Sequence, residues 1–242
     1  MFTPNHFVLL AISAVGIAVT VFLSIKFEWK FRRVLFGCLM ACAVSELTKI
    51  FMHFNVTESG GVYNPGSLPF HLCSMQIFFL LFVYFVKNER VRKITLAFLF
   101  PTMAVGATAA LLIPTVGVNF DNPEVWTSFM FHAMLIFFAI YLVATKQIEI
   151  NLTAFLRNLL LLGAVFIFSI WVNSILSVYG TNFLYVVGPP MDNLPLLNLD
   201  NGYYAYLFTL IGVALVLMVL IHVPFIIAGY VKKKRAKPDA VD

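Results

Sequence analysis

Residues 204–230 read YAYLFTLIGVALVLMVLIHVPFIIAGY, with no Lys, Arg, Asp or Glu. About 20 apolar residues suffice to carry a helix across the hydrocarbon of a bilayer, and this run exceeds that. The rest of the chain follows suit. Hydrophobic residues make up 61% of the sequence and mean hydropathy is +0.93, more apolar surface than a water-soluble core of this size requires. Six further runs precede it: Phe7–Ile25, Val34–Phe54, Phe70–Val86, Ile94–Ile113, Trp126–Thr145 and Ala154–Leu176. Each is continuous rather than alternating, which excludes a strand barrel. The expected fold is all-α: a polytopic membrane helix bundle with seven transmembrane helices. The transmembrane domain should cover residues 1–231, and a basic cytoplasmic tail residues 232–242.

The gaps between runs write an orientation. Lys26, Lys30, Arg32 and Arg33 follow the first run; Lys87, Arg90, Arg92 and Lys93 follow the third; Lys146 and Arg157 flank the fifth gap; Lys232, Lys233, Lys234, Arg235 and Lys237 end the chain. The intervening gaps, residues 55–69, 114–125 and 177–203, hold no Lys or Arg. The positive-inside rule then places the N-terminus outside and the C-terminus inside. Met1 to His6 carries no basic residue and the first run is long, so it reads as a span rather than a cleavable signal. The net charge of +5 sits in juxtamembrane clusters suited to anionic lipid headgroups, which argues against nucleic acid. Gly60-Gly61, Asn64-Pro65-Gly66 and Gly188-Pro189-Pro190 mark irregular backbone in the outer gaps, and Asp121-Asn122-Pro123 is placed to cap the fifth helix. Asn55-Val56-Thr57 has the glycosylation pattern, a short motif that arises easily by chance.

Of the sixteen Lys and Arg, only Lys49 lies deep inside an apolar run; Arg157 falls in the first turn of its own. Glu46, Lys49 and His53 share one face of the second helix at spacing i, i+3, i+7. Counting from Val34, they lie about 18, 22 and 28 Å along the helix. Ionisable groups at such depth face the bundle interior and mark either a packing pair or a functional cavity. In the second case Lys49 would hold an anionic group such as a phosphate.

The third run opens Ser67-Leu68-Pro69-Phe70-His71-Leu72-Cys73-Ser74-Met75-Gln76. Pro69 suits a first helical turn, which would put Cys73 in the first two turns, where a helix N-terminus stabilises a thiolate. Cys73 is equally readable as a small buried hydrophobe. Two residues apart on a regular helix, His71 and Cys73 point about 200° apart, so a base for Cys73 should come from another helix or from a distorted first turn. Gln76 shares the Cys73 face. His132 lies about 9 Å inside the fifth helix, with Ser128 one turn before it, and Asn173 ends the sixth with Asn182 soon after. These groups occupy one depth zone on four helices. His222, deeper and just before Pro224, is expected to bond backbone freed by that proline. Cys38 and Cys42 read as packing residues, and three Cys in apolar runs argue against a disulfide framework. A metal site from His53, His71 and His132 is a minor alternative. No nucleotide loop or zinc-finger spacing is present.

Leu68-Pro69-Phe70-His71-Leu72-Cys73 resembles the Leu-Pro-x-His-Leu-Cys signature of the YwaF-type integral membrane proteins of bacteria. Gly180-Thr181-Asn182-Phe183-Leu184-Tyr185 resembles that family's Gly-x-Asn-Tyr-Met segment, and His132 stands where the family carries a histidine early in the fifth helix. Phe183 replaces the usual Tyr, and Gly202-Tyr203-Tyr204 stands in place of a Trp-Pro-Trp-Tyr element. The family is similar to the eukaryotic transmembrane-protein-164 group. The resemblance implies a phospholipid acyltransferase with a Cys nucleophile in a bacterial cytoplasmic membrane, with Cys73 as acyl acceptor and His132 or His71 as base.

The first functional expectation is therefore an outer-leaflet lipid acyltransferase working through a thioester. Its partners would be membrane phospholipids and an amphiphilic acyl acceptor, and it would need no cofactor. Glu46, Lys49, Gln76, Asn173 and Asn182 would bind substrate. The alternatives are a transporter or ligand-binding membrane protein using Glu46, Lys49 and the histidines, and a membrane scaffold in which the polar stripe is packing glue.

Overall fold

The computed structural model describes residues 2–56, 63–191 and 194–235, with backbone alone at 54–56 and 232–235. Thr57 of the glycosylation pattern, Gly60-Gly61 and the tail from residue 236, Lys237 included, lie outside the described residues. Among the described residues there are seven α-helices: α1 (Pro4–Lys26), α2 (Phe31–Val56), α3 (Gln76–Phe85), α4 (Glu89–Leu112), α5 (Pro123–Ala144), α6 (Leu152–Ile175) and α7 (Tyr203–Arg235). No strand occurs among the described residues. All but α3 are long and apolar enough to cross a membrane, and the protein is a multi-pass membrane protein. Lys232, Lys233, Lys234 and Arg235 continue α7 instead of following it.

Asn side chains start three of the helices, each accepting from an orphan N–H of the first turn: Asn88 for α4, Asn122 for α5 and Asn151 for α6. Asn122 thus fulfils the expected cap. The core is the seam of α4 and α5 with α2 and α3 against it, where Leu99, Met103, Ala107, Leu135, Phe138 and Leu142 are fully buried. Large apolar side chains such as Leu160, Phe208 and Leu220 stand exposed on α6 and α7, as a lipid-facing surface requires.

The third apolar run departs from expectation. A continuous helix over Phe70–Val86 was indicated by hydropathy, yet only Gln76–Phe85 is helical, about 15 Å of rise against a hydrocarbon core of about 30 Å. The preceding stretch is a 3-10 turn, Pro65–Ser67, followed by a chain of tight turns. The N–H groups of Gln76, Ile77 and Phe78 reach carbonyls only three residues back. Cys73 therefore lies in turn structure before α3. Contacts pair Cys73 with Gly106, Gln76 with Thr102 and Phe79 with Phe98. One number rises as the other falls, so the segment runs antiparallel to α4. Irregular backbone at membrane depth is tolerated where it is buried in protein or lines a cavity, and this stretch does line one.

Pro101 interrupts the ladder of α4 and frees the carbonyl of Ala97, four residues back. Asn158 of α6 answers it, its Nδ2 donating to Ala97 O at 2.9 Å and to His222 Nε2 at 3.1 Å. His222 Nδ1–H in turn donates to Met218 O at 2.8 Å. His222 was expected to serve backbone freed by Pro224. Instead it receives the amide that serves the proline of a different helix, and the clamp ties α4, α6 and α7 together.

Candidate functional site

A cavity of about 920 Å³ occupies the end of the bundle whose loops lack Lys and Arg. That volume lies at the upper end of small-molecule sites. Its polar end is assembled from α2 (Glu46, Lys49), the turns before α3 (His71, Cys73, Ser74), the α5 N-terminus (Glu124, Ser128, His132) and the α6–α7 loop (Tyr185). Its apolar end runs between α4, α6 and α7, past Ala109, Leu162, Gly163, Phe166, Leu210 and Ala214 to Met218. Along α4 the lining extends from Pro101 to Ile113, about 18 Å of helix rise, comparable with one leaflet of hydrocarbon.

Lys49 Nζ lies 2.6 Å from Glu46 Oε2 and 3.4 Å from Ser74 Oγ. The ammonium has three protons, so two partners leave one donor for a ligand. The pair also tethers the Cys73 segment to α2. A second tether lies nearby: His53 bridges Ser67 through Nδ1 and Glu124 Oε1 through Nε2, the latter at 3.3 Å. A carboxylate only accepts, so in the neutral ring Nε2 carries the proton and Nδ1 receives the Ser67 hydroxyl. Tyr63 adds a third hold, its phenol donating to Ser67 O at 2.8 Å.

His132 Nδ1 sits 2.7 Å from the carbonyl of Ser128. A carbonyl cannot donate, so the proton is on Nδ1 and Nε2 carries a lone pair that no group among the described residues takes up, the tautomer of a general base. His71 is packed between rings, its centroid 5.4 Å from those of Phe183 and Tyr185. Cys73 is half-buried, and a Cβ at Gly106 would stand 3.2 Å from its Sγ. Glycine at 106 is what lets the sulfur approach α4 so closely. Cys73, His71, His132, Lys49 and Glu46 thus line one cavity. Among the described residues no hydrogen bond joins Cys73 to either imidazole, so a base must reach the sulfur by a shift or through water.

The other three expected binding residues stand elsewhere. Gln76 is fully buried beneath the cavity wall, its Nε2 donating to Leu72 O at 3.0 Å and Thr102 Oγ1 at 3.2 Å. Asn173 clamps Phe183: its Oδ1 accepts from Phe183 N at 2.9 Å, and its Nδ2 donates to Phe183 O at 3.0 Å and Ser169 O at 2.9 Å. Asn182 holds the loop beyond, donating to Gly188 O at 2.9 Å and accepting from Val187 N at 3.0 Å. The amides of Asn173 and Asn182 are engaged by backbone and position the loop, whereas Gln76 ties the turns before α3 to α4. Among the described residues no group of three His, Cys, Asp or Glu is arranged for a metal; His53, His71 and His132 each have other partners.

Sequence reasoning missed Glu124 and Tyr185. An acidic residue just after Asn122-Pro123 reads as a helix-dipole partner, and Tyr185 hides in the apolar string Phe183 to Val187. Leu184 and Tyr185 both take positive φ, 53° and 56°, which costs of order 1–3 kcal/mol each for a side-chain-bearing residue. The Tyr206 hydroxyl, donating to Tyr185 O, helps hold that conformation.

No curated protein and no solved structure matches the chain at a significant level. The model of the TMEM164 family does match, over residues 1–222, and takes in every residue that lines the cavity. The chain belongs to the TMEM164 family.

Proposed function

We propose that the chain is a membrane-embedded acyltransferase that moves an acyl group from a phospholipid, through a Cys73 thioester, to an amphiphilic acceptor. The observation that carries this reading is the cavity itself: one chamber with a thiol, an imidazole with a free Nε2 and a lysine at its polar end, and an apolar extension long enough for an acyl chain. Family membership supports a membrane role of this kind. In this reading the ester carbonyl sits at Cys73 and the chain lies between α4, α6 and α7. Lys49, oriented by Glu46, faces the lipid phosphate with its remaining donor. His132 Nε2 takes the thiol proton and returns it to the leaving alkoxide. Attack by a lysophospholipid or another amphiphilic hydroxyl or amine on the thioester then completes a ping-pong cycle.

The same proposal includes seven crossings, the third made half by helix and half by the cavity-lining turns, with the N-terminus outside and the cavity at the outer leaflet of a bacterial cytoplasmic membrane. The alternation of basic residues supports it. A cysteine placed at Asp121 should react with an impermeant thiol reagent added outside and one at Gln147 should not; the reverse pattern overturns the orientation. For the activity, purified protein in vesicles of defined phospholipid should exchange labelled acyl chains, and Cys73→Ala and Cys73→Ser should abolish exchange. Undiminished exchange in both variants rules out the reading. Exchange absent throughout, with binding or uptake lost in Lys49→Ala and kept in Cys73→Ala, points instead to a transporter or ligand-binding protein.

A further inference from the structure

Tyr185 stands in the cavity wall with its ring centroid 5.4 Å from that of His71. It directly follows Leu184, and both occupy the left-handed region that side-chain-bearing residues seldom adopt. Two such residues in succession persist only where their surroundings over-determine them, and such strain gathers at functional sites. Here the surroundings do so on every side. Asn173 and Ser169 hold Phe183 before the strained pair, Asn182 holds Val187 and Gly188 after it, and Tyr206 holds the carbonyl of Tyr185 itself. The effect of this scaffolding is to place a phenol at the polar end of the chamber, where the loop would otherwise present only apolar side chains.

The phenol is kept in its donor form. Burial pushes its pKa up, negative charge on Cys73 pushes it further the same way, and the Thr115 side chain opposes. A neutral phenol that lines the same cavity as a thiol able to attack a carbonyl, and lies against His71 two residues before that thiol, has one obvious chemical use. We propose that the Tyr185 O–H is the hydrogen-bond donor that stabilises the oxyanion formed when Cys73 attacks the acyl ester. The inference rests on the acyl-transfer reading and supplies the group that reading lacks. Asn182, one of the side chains expected to bind substrate, has its amide engaged by loop backbone.

The step balances within the cavity. The Sγ–H proton passes to an imidazole nitrogen, the Sγ–C bond forms, and the carbonyl π pair moves onto oxygen, which accepts a hydrogen bond from Tyr185 while Tyr185 keeps its proton. The oxygen pair then returns to carbon, the ester C–O bond breaks, and the imidazolium proton goes to the leaving alkoxide. The acyl chain is left on Cys73 as a thioester.

The test compares two reactions of the same thiol in purified full-length protein. Acylation is followed with a phospholipid bearing a fluorescent acyl chain in vesicles, and alkylation with iodoacetamide, which displaces iodide and develops no oxyanion. Tyr185→Phe should slow acylation roughly 10²-fold, as removal of one oxyanion donor does elsewhere, and leave alkylation unchanged. Equal slowing of both, or undiminished acylation, overturns the inference. Tyr206→Phe keeps the phenol and removes its anchor, so it should slow acylation less than Tyr185→Phe; a larger loss assigns the effect to loop structure and also overturns it. Label retained by Cys73→Ala overturns the thioester reading and with it this role of Tyr185; label lost in Cys73→Ala but formed at the full rate in Tyr185→Phe overturns the assignment of Tyr185 alone.

Discussion

Asn173→Leu tests whether the α6–α7 loop is held by one amide. Leucine nearly preserves the volume of the side chain, so the change is electrostatic more than steric. In the native protein Asn173 Oδ1 accepts the N–H of Phe183, a fully buried residue, and Nδ2 donates to Phe183 O and Ser169 O. After substitution the Phe183 N–H loses its acceptor, while Phe183 O keeps the Ser169 hydroxyl at 2.8 Å. Leaving a buried donor unpaired costs about 1–3 kcal/mol and a lost neutral hydrogen bond about 1 kcal/mol, giving about 2–4 kcal/mol in total. At about 2–4 °C per kcal/mol for a chain of this size, Tm should fall by about 4–16 °C. The assay is thermal unfolding in detergent micelles followed by intrinsic fluorescence, with the same measurement on Asn173→Asp. The aspartate retains the acceptor for Phe183 N–H but loses the Nδ2 donor, and its second oxygen faces the carbonyls of Phe183 and Ser169. It should therefore also fall, but keep the Phe183 N–H paired. A Tm for Asn173→Leu within 1–2 °C of wild type would refute the reasoning, because it would mean that the Phe183 backbone finds another partner and the loop does not depend on α6.

Three further outcomes are expected. Gly106→Ala places a methyl 3.2 Å from Cys73 Sγ and 3.6 Å from Leu72 Cδ2, so acylation of Cys73 should slow about tenfold through misplacement of the sulfur with little change in Tm; an unaltered rate would show that the close approach is immaterial. Asn158→Leu removes the partner of the carbonyl freed by Pro101 and should cost about 1–3 kcal/mol; Pro101→Ala restores an N–H there, so a thermal double-mutant cycle should show coupling between the two sites, and strict additivity would argue against the clamp. Gly163→Leu adds bulk where a Cβ meets nothing within 4 Å on the cavity wall; long-chain donors should exchange poorly and short-chain esters near normally, and equal effects on both would argue that the chain does not lie there.

The sequence by itself determined the solvent. Continuous apolar runs such as residues 204–230 have one stable home, and hydropathy, which is additive along a chain, locates them to within a few residues. It also located the cavity-facing stripe of α2: Glu46 and Lys49 are three apart on a helix, and a charge inside an apolar run must turn inward to find a partner. Tertiary structure alone decided the rest. That Phe70–Val86 is only half helical depends on the tethers Lys49–Ser74 and Ser67–His53–Glu124, made by residues distant in the chain, which let turn backbone replace helix. Likewise, Asn173 and Asn182 could be placed at the right depth by counting residues, but depth does not say which way an amide faces; backbone folded back from the α6–α7 loop took up both. Tyr185 reaches the chamber through a left-handed turn that no period or propensity encodes. Hydrophobicity acts residue by residue and can be read in one dimension, whereas hydrogen-bond partnership is pairwise and directional and is fixed only when the helices meet.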